Sequence, residues 1–278
     1  MSSHFTSFAV AGGTGQIGKN IAASLLSHGL RVVVLTRSSS SKVAEGAEAR
    51  VVASYDDVDT LAKALQGVEV VINALGQESL AGESGSNLAR AAKKAGAELV
   101  LANHWGVDLE AIKKGSTGVH PFLLGKLAFP SFVNELGLAY LQIHIGLLTS
   151  VFPLLTSVDS EKKTATIVGP GDTKFTITSE EDVGRFVGDA FAKLPKKDLL
   201  NQTLGVSGRV ATLNELLAGY SITHVDPKEA LEQSRDVAGL GVKSFFTWLL
   251  LIIHTGESLI KPDNTSVGFV SKDTAVHL

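Results

Sequence analysis

Cysteine is absent from the chain, methionine occurs once, and aromatic residues make up only 6% of it. Without a thiol there is no disulfide, no zinc–thiolate site and no cysteine nucleophile, and the absence fits an expectation of cytoplasmic localisation. Neither sign of charge dominates, because 25 Lys and Arg against 28 Asp and Glu leave a formal net charge of −3. Such a balance lacks the basic footprint of a protein drawn to nucleic acid or to an anionic membrane, so neither partner is expected. Long apolar runs are missing too. The most apolar stretch, 245–253, falls well short of the ~20 residues that a membrane span needs, and the short stretch Met1 to Thr6 predicts no secretory leader. Residues 245–253 instead read as a buried or interface helix, which either roofs a substrate site or joins two copies of the chain as a homodimer.

What is present is glycine and hydrophobic residues, 28 of the former and 44% of the latter, in a chain of 278 residues that can bury a substantial α/β core. An apolar run from Phe8 leads into Ala11-Gly12-Gly13-Thr14-Gly15-Gln16-Ile17-Gly18, and apolar residues then recur at helical spacing through Leu26. This predicts a strand, a glycine turn and a helix. Gly12 permits the turn, Gly15 lets main-chain amides approach an anion, and Gly18 lets the helix press on the strand. The helix N-terminus then offers unpaired amides and a positive dipole end to a pyrophosphate.

Further β-branched runs follow, Arg31–Thr36, Ala49–Ala53, Val68–Gly76 and Glu98–Ala102, separated by helical patterns that include 58–65, with Asp56 or Asp57 as its cap. Strands alternating with helices at this spacing predict a parallel sheet with a ligand across the carboxyl ends of its strands. The second strand ends in Arg37-Ser38-Ser39-Ser40-Ser41-Lys42. A dinucleotide fold meets the adenosine ribose here, where an acidic residue would accept a 2′-hydroxyl and arginine accommodates a 2′-phosphate. Cations and hydroxyls without a carboxylate predict NADP(H); a solvated serine-rich loop is the plainer alternative. Scattered histidines without carboxylates at ligand spacing predict no metal site.

The glycine turn, the Thr36-Arg37 strand end with Lys42 beyond it, and the strand end Asn73-Ala74-Leu75-Gly76 resemble the atypical short-chain dehydrogenases of the NmrA-like and isoflavone-reductase-like group. So do Phe122-Leu123-Leu124-Gly125-Lys126 with the segment Phe132 to Tyr140, similar to the group's lysine-bearing helix and next strand, and Thr178 to Arg185, similar to its late helix start. The resemblance implies a Rossmann-type doubly wound parallel sheet with a smaller mixed C-terminal substrate lobe. We expect the NAD(P)-binding domain over 1–146 and the lobe, interleaved with it, over 147–278. The residues expected to hold NADP(H) are Gly12, Thr14, Gly15, Gln16, Ile17 and Gly18, then Arg37, Ser38 and Lys42, then Leu75 and Gly76, together with Lys126.

By the same resemblance Lys126 lies near the nicotinamide ribose and the substrate oxygen, where an ammonium stabilises developing negative charge. No Tyr-x-x-x-Lys pair exists, since Asp59, His144 and His224 stand four residues beyond the tyrosines. The fifth strand end also departs from the group: Asn103-His104-Trp105-Gly106 replaces its serine-glutamate-phenylalanine-glycine run. His104 reads either as a general acid or as a structural imidazole bonded to nearby main chain. The expected activity is NADPH-dependent reduction of a small or medium, largely apolar carbonyl or enone. Two alternatives share the fold: a non-catalytic NADP(H)-sensing regulator that binds a protein partner, and a lyase, isomerase or cyclase.

Overall fold

The computed structural model describes residues 3–76, 83–272 and 276. In chain order the strands are β1 (Ser7–Ala11), β2 (Arg31–Thr36), β3 (Glu48–Val51), β4 (Val70–Asn73), β5 (Leu99–Leu101), β6 (Ala139–His144), β7 (Leu147–Leu148), β8 (Thr164–Val168), β9 (Phe175–Thr178), β10 (Gln202–Gly205), β11 (Arg209–Ala211) and β12 (Ser221–Val225). The helices are α1 (Gln16–Ser27), α2 (Val58–Ala64), α3 (Ser84–Ala95), α4 (Leu109–Lys114), α5 (Leu124–Glu135), α6 (Phe152–Leu155), α7 (Glu180–Lys193), α8 (Leu213–Leu216), α9 (Pro227–Arg235), α10 (Val237–Leu240), α11 (Val242–His254) and α12 (Asn264–Val267).

Seven strands form one sheet in the order β3-β2-β1-β4-β5-β6-β10, every neighbouring pair parallel. Both of its faces are covered, which is why its central strands β1, β4 and β5 are buried along their whole length rather than alternating. Phe8 and Val10 of β1 join a core with Ile21 and Leu25 of α1 and Phe186 and Phe191 of α7. Ala9 and Ala11, pointing the other way, join Leu61, Leu88 and Val133 from α2, α3 and α5. Each large side chain fully buried this way contributes about 1.5–3 kcal/mol. The chain leaves β1 toward β2 and β3 and then returns to β4 on the opposite side, so the strand order reverses between β1 and β4. A crevice opens at the carboxyl ends of strands at such a reversal.

Two details of this sheet differ from the expectation. The fourth strand stops at Asn73 instead of running to Gly76. Its last ladder bond comes from the Ala74 amide to the Ala11 carbonyl at 2.9 Å, after which the chain turns away to wall the glycine turn. The seventh strand, β10, arrives from far downstream and is a short edge strand with Gln202 and Thr203 exposed. Edge pairing asks little of a sequence, so no apolar run advertises it. Asp57, not Asp56, caps α2, accepting from the amides of Asp59 and Thr60.

The remaining strands make a mixed three-stranded sheet, β11-β9-β7, and a parallel pair, β12-β8. Phe152, Phe175, Ile167, Leu250 and Leu251 fill their core. The apolar stretch 245–253 forms most of α11, which buries Trp248 and Leu250 through Ile253. No helix among the described residues is long and apolar enough to cross a membrane.

Candidate active site

The turn after β1 is built from main chain. Gly12 holds φ at +78°, a conformation that side chains disfavour, and a Cβ there would lie 2.2 Å from the Ala74 carbonyl oxygen. Its carbonyl accepts from the Gly15 amide at 2.9 Å. A Cβ on Gly18 would come within 2.2 Å of that same carbonyl, so α1 is pressed hard against the turn. α1 begins at Gln16 with Gly15 as its cap, without a capping side chain and without an acidic residue in its first turn. The amides of Gln16, Ile17 and Gly18 therefore have no helical acceptor. Thr14, Gly15 and Gln16 are exposed. This cradle fits a pyrophosphate: it has free donors, a positive dipole end, and no acidic side chain in the first turn of α1.

At the end of β2, Thr36 is buried and its hydroxyl donates to the Ser38 carbonyl at 3.0 Å, turning the chain outward. Arg37, Ser38 and Lys42 stand exposed on that turn, and neither cation is paired with a carboxylate among the described residues. Tyr55 was not singled out by the sequence. Burial pushes its phenol up to about 12, opposed by the Gly12 amide and by the nearby Arg37 charge. It thus lies near both the glycine turn and Arg37, and only its position just after β3 could have signalled that.

Leu75 and Gly76, beyond β4, reach a cavity of about 340 Å³ that Ile17, Lys126 and the fifth strand end also line. The structure thus brings Ile17, Leu75, Gly76 and Lys126 to one cavity wall. That volume lies in the range of small-molecule pockets. Lys126 sits in the first turn of α5, half-buried, and makes no hydrogen bond or ion pair with the described residues. Desolvation pulls its ammonium down to about 8, close to where a proton donor is useful at neutral pH.

The segment Asn103-His104-Trp105 works as a clamp. The Asn103 amide donates to the Leu75 carbonyl at 2.8 Å, and the Trp105 indole donates to the Asn73 carbonyl at 3.3 Å. Both hold the loop after β4 beside the one after β5. His104 is 4% exposed, with Nε2 placed 3.0 Å from the Val107 carbonyl and Nδ1 placed 3.3 Å from the Gln142 amide nitrogen. These partners assign the proton to Nε2 and leave Nδ1 to accept. Burial, then the neighbouring His144 and Lys126, hold the ring down to about 3, so it is neutral and both nitrogens are committed.

His144 lies with its ring centroid 4.9 Å from that of His104. Burial lowers it as well, opposed by the Asp108 carboxylate 4.0 Å away. A second, polar cavity of about 360 Å³ lies against Gln142 and His144 and shares His104 with the first. His120 is structural: its Nδ1 accepts from the Phe122 amide at 3.3 Å and its Nε2 meets the Ser244 hydroxyl at 3.2 Å. No group of three metal-ligating side chains exists among the described residues.

Cradle, exposed cations, cavity and desolvated lysine follow one another along the carboxyl edge of the sheet. An extended anionic ligand held by its phosphates at α1 would present its far end beside Lys126. Residues 6–226 match the model of the NmrA-like family. The chain is 26% identical over 228 residues to eugenol synthase 1 of Petunia hybrida, a match covering 75% of this chain and 71% of that protein. Among solved structures it resembles the binary complex of leucoanthocyanidin reductase with NADPH from Vitis vinifera, with a TM-score of 0.74, 19% identity, and 91% and 89% of the two chains covered. It also resembles an NADPH-dependent quinone oxidoreductase of Escherichia coli complexed with NADPH, with a TM-score of 0.70, 18% identity and 96% of each chain covered. At these identities the two structures establish the fold.

Proposed function

The chain belongs to the NmrA-like family, and on that footing we propose that it is an NADPH-dependent reductase of a small or medium, largely apolar carbonyl or enone. The observation that carries this reading is Lys126, a desolvated ammonium without a partner among the described residues, on an apolar cavity that the residues after β4 also line. A desolvated cation without a partner is costly, and a structural role would have supplied one.

The glycine cradle supports a dinucleotide, with Gly12, Thr14, Gly15, Gln16, Ile17 and Gly18 holding the pyrophosphate. Arg37, Ser38 and Lys42 receive the 2′-phosphate, while Leu75, Gly76 and Lys126 border the nicotinamide end. NADPH, when bound, supplies the hydride. The NADPH named in two structural relatives supports the same cofactor.

Lys126 donates to the substrate oxygen, stabilises the negative charge that grows there, and gives up a proton to it. Trp105, Val107, Leu109 and Leu123 keep water from the reacting centre. His104 transfers no proton on this reading, because both ring nitrogens are committed and the ring stays neutral. It fixes the wall against which the substrate lies.

Incubation of the pure protein with NADPH and a panel of ketones, aldehydes and enones tests the proposal. Loss of NADPH absorbance with formation of alcohol or saturated carbonyl is expected; tight NADPH binding without turnover of any member refutes it. Cofactor choice is tested apart from turnover. Arg37→Ala should weaken NADPH roughly 10- to 100-fold while leaving NADH nearly unchanged, since a charge-assisted hydrogen bond is worth about 1.5–3 kcal/mol. Equal affinity of the wild type for the two cofactors would remove the NADP assignment.

A further inference from the structure

The apolar cavity has two walls of different origin. The sheet side carries its polar side chains, and most of their donors are already spent. Asn103 donates to Leu75, His104 is committed at both nitrogens, and the indoles of Trp105 and Trp248 donate to the carbonyls of Asn73 and Gly118. Among the described side chains that line the cavity, Lys126 keeps its donors uncommitted. The C-terminal lobe contributes the opposite wall through Leu148, Val151, Leu154, Phe245, Phe246 and Leu249. None of these six side chains can donate or accept a hydrogen bond.

Resting on the reductase reading of this same site, we infer that the substrate is monopolar, with one carbonyl oxygen turned to Lys126 and a hydrocarbon body, free of hydroxyl, carboxylate or amine, against the lobe wall. The cavity of about 340 Å³ also takes the nicotinamide end beside Leu75 and Gly76, so what remains admits a ligand of roughly ten non-hydrogen atoms. A ligand of that size whose oxygen meets Lys126 lays its other end on the lobe side chains. A hydroxyl laid against these side chains gives up part of its water and finds no partner among them, and an ionised group loses more. Selectivity therefore comes from exclusion: nothing on the lobe wall recognises the body of the substrate except by shape. Val151 is the position where this is most simply reversed, because threonine has nearly the same shape and adds one hydroxyl.

The test compares benzylacetone with its para-hydroxylated analogue, which differs only at the end remote from the ketone. Each is titrated calorimetrically into the full chain saturated with NADP⁺. The two tryptophans of the chain, Trp105 and Trp248, both line this cavity, so a change in tryptophan emission identifies it as the binding site. Benzylacetone is expected to bind with such a change, and the hydroxylated compound about tenfold or more weaker. Val151→Thr should narrow that ratio. Equal or tighter binding of the hydroxylated compound overturns the inference, as does the absence of an emission change with either. A ratio unmoved by Val151→Thr while benzylacetone binds as before overturns the lobe-wall assignment. The reductase reading fails separately, if benzylacetone binds with the expected ratio yet no carbonyl of the panel consumes NADPH.

Discussion

The cradle at the end of β1 is made from one run of consecutive residues, Gly12 to Gly18, acting mostly through main chain, whereas the cavity beside it draws side chains from as far apart as Ile17 and Leu249. The difference sets how each half responds to change. Where backbone touches backbone, any added atom collides with something that cannot move. Where side chains meet a cavity, a substitution changes shape and polarity but leaves room to relax. The first half is all-or-none; the second is tunable, and substrate choice belongs there.

The largest expected effect tests the rigid half. Gly12→Ala imposes a side chain at φ +78° and sets a Cβ 2.2 Å from the Ala74 carbonyl. It should cost about 3 kcal/mol or more of stability and weaken NADPH by about a hundredfold. Urea denaturation and a fluorescence titration of NADPH measure the two losses. Leu249→Ala, on the tunable side, should leave NADPH affinity within a few-fold of the wild type and broaden the range of ketones accepted. If Gly12→Ala binds NADPH as well as Leu249→Ala does, the distinction between the halves collapses.

Lys126 stands where the halves meet, and Lys126→Met separates chemistry from binding. It should lower kcat/KM about 10²- to 10³-fold, the scale for a lost oxyanion donor, with NADPH affinity changed only a few-fold. The same variant should raise Tm by a few degrees, because it removes a desolvated charge that has no partner among the described residues. A structural lysine would show the reverse. The pH dependence has a fixed sign. The ammonium is the active form, and with its pKa held at about 8 the wild-type rate should be level at neutral pH and fall as pH rises through about 8. A rate that instead climbs through that range assigns proton transfer to another group.

The same contrast explains what could be read from the residues alone. β1, the glycine turn and α1 were legible because tight turns, close approach and helical periodicity are local demands that few residues satisfy. The Arg37 loop was legible from the cations and hydroxyls at the end of β2 and Lys126 by resemblance, and the structure adds that Lys126 has no partner among the described residues and shares a wall with Leu75 and Gly76. Tyr55 went unseen because its nearness to Gly12 brings together segments from different strand ends. β10 went unseen because an edge strand needs no apolar pattern. Residues 245–253 could be placed in a helix, but whether that helix faces a substrate or another chain depends on how α11 lies over the sheet. Phe245, Phe246 and Leu249 turn out to line the cavity.

His104 is the sharpest case, since its two readings, acid and structural imidazole, were level in the sequence. They predict opposite pH behaviour. The structure holds the folded-state pKa at about 3, against an ordinary value of 6.5. As pH falls below 6.5 the unfolded chain takes up a proton on this residue that the folded chain refuses until about 3. Its contribution to stability is therefore complete above 6.5 and erodes on acidification through that window. His104→Asn removes this term, so stability should fall less steeply with acid than in the wild type, while the lowered pKa values of His120 and His144 keep part of the slope. At neutral pH the variant should lose about 1–3 kcal/mol, because Gln142 and the Val107 carbonyl lose their partner. Turnover should drop no more than about tenfold, with its alkaline fall still near 8, since that limb belongs to Lys126. Urea midpoints between pH 4 and 7, measured beside the rate profile, decide it. An unchanged acid slope, or a hundredfold loss of turnover with a displaced pH limb, would return His104 to the chemistry and make it, in place of Lys126, the source of the proton.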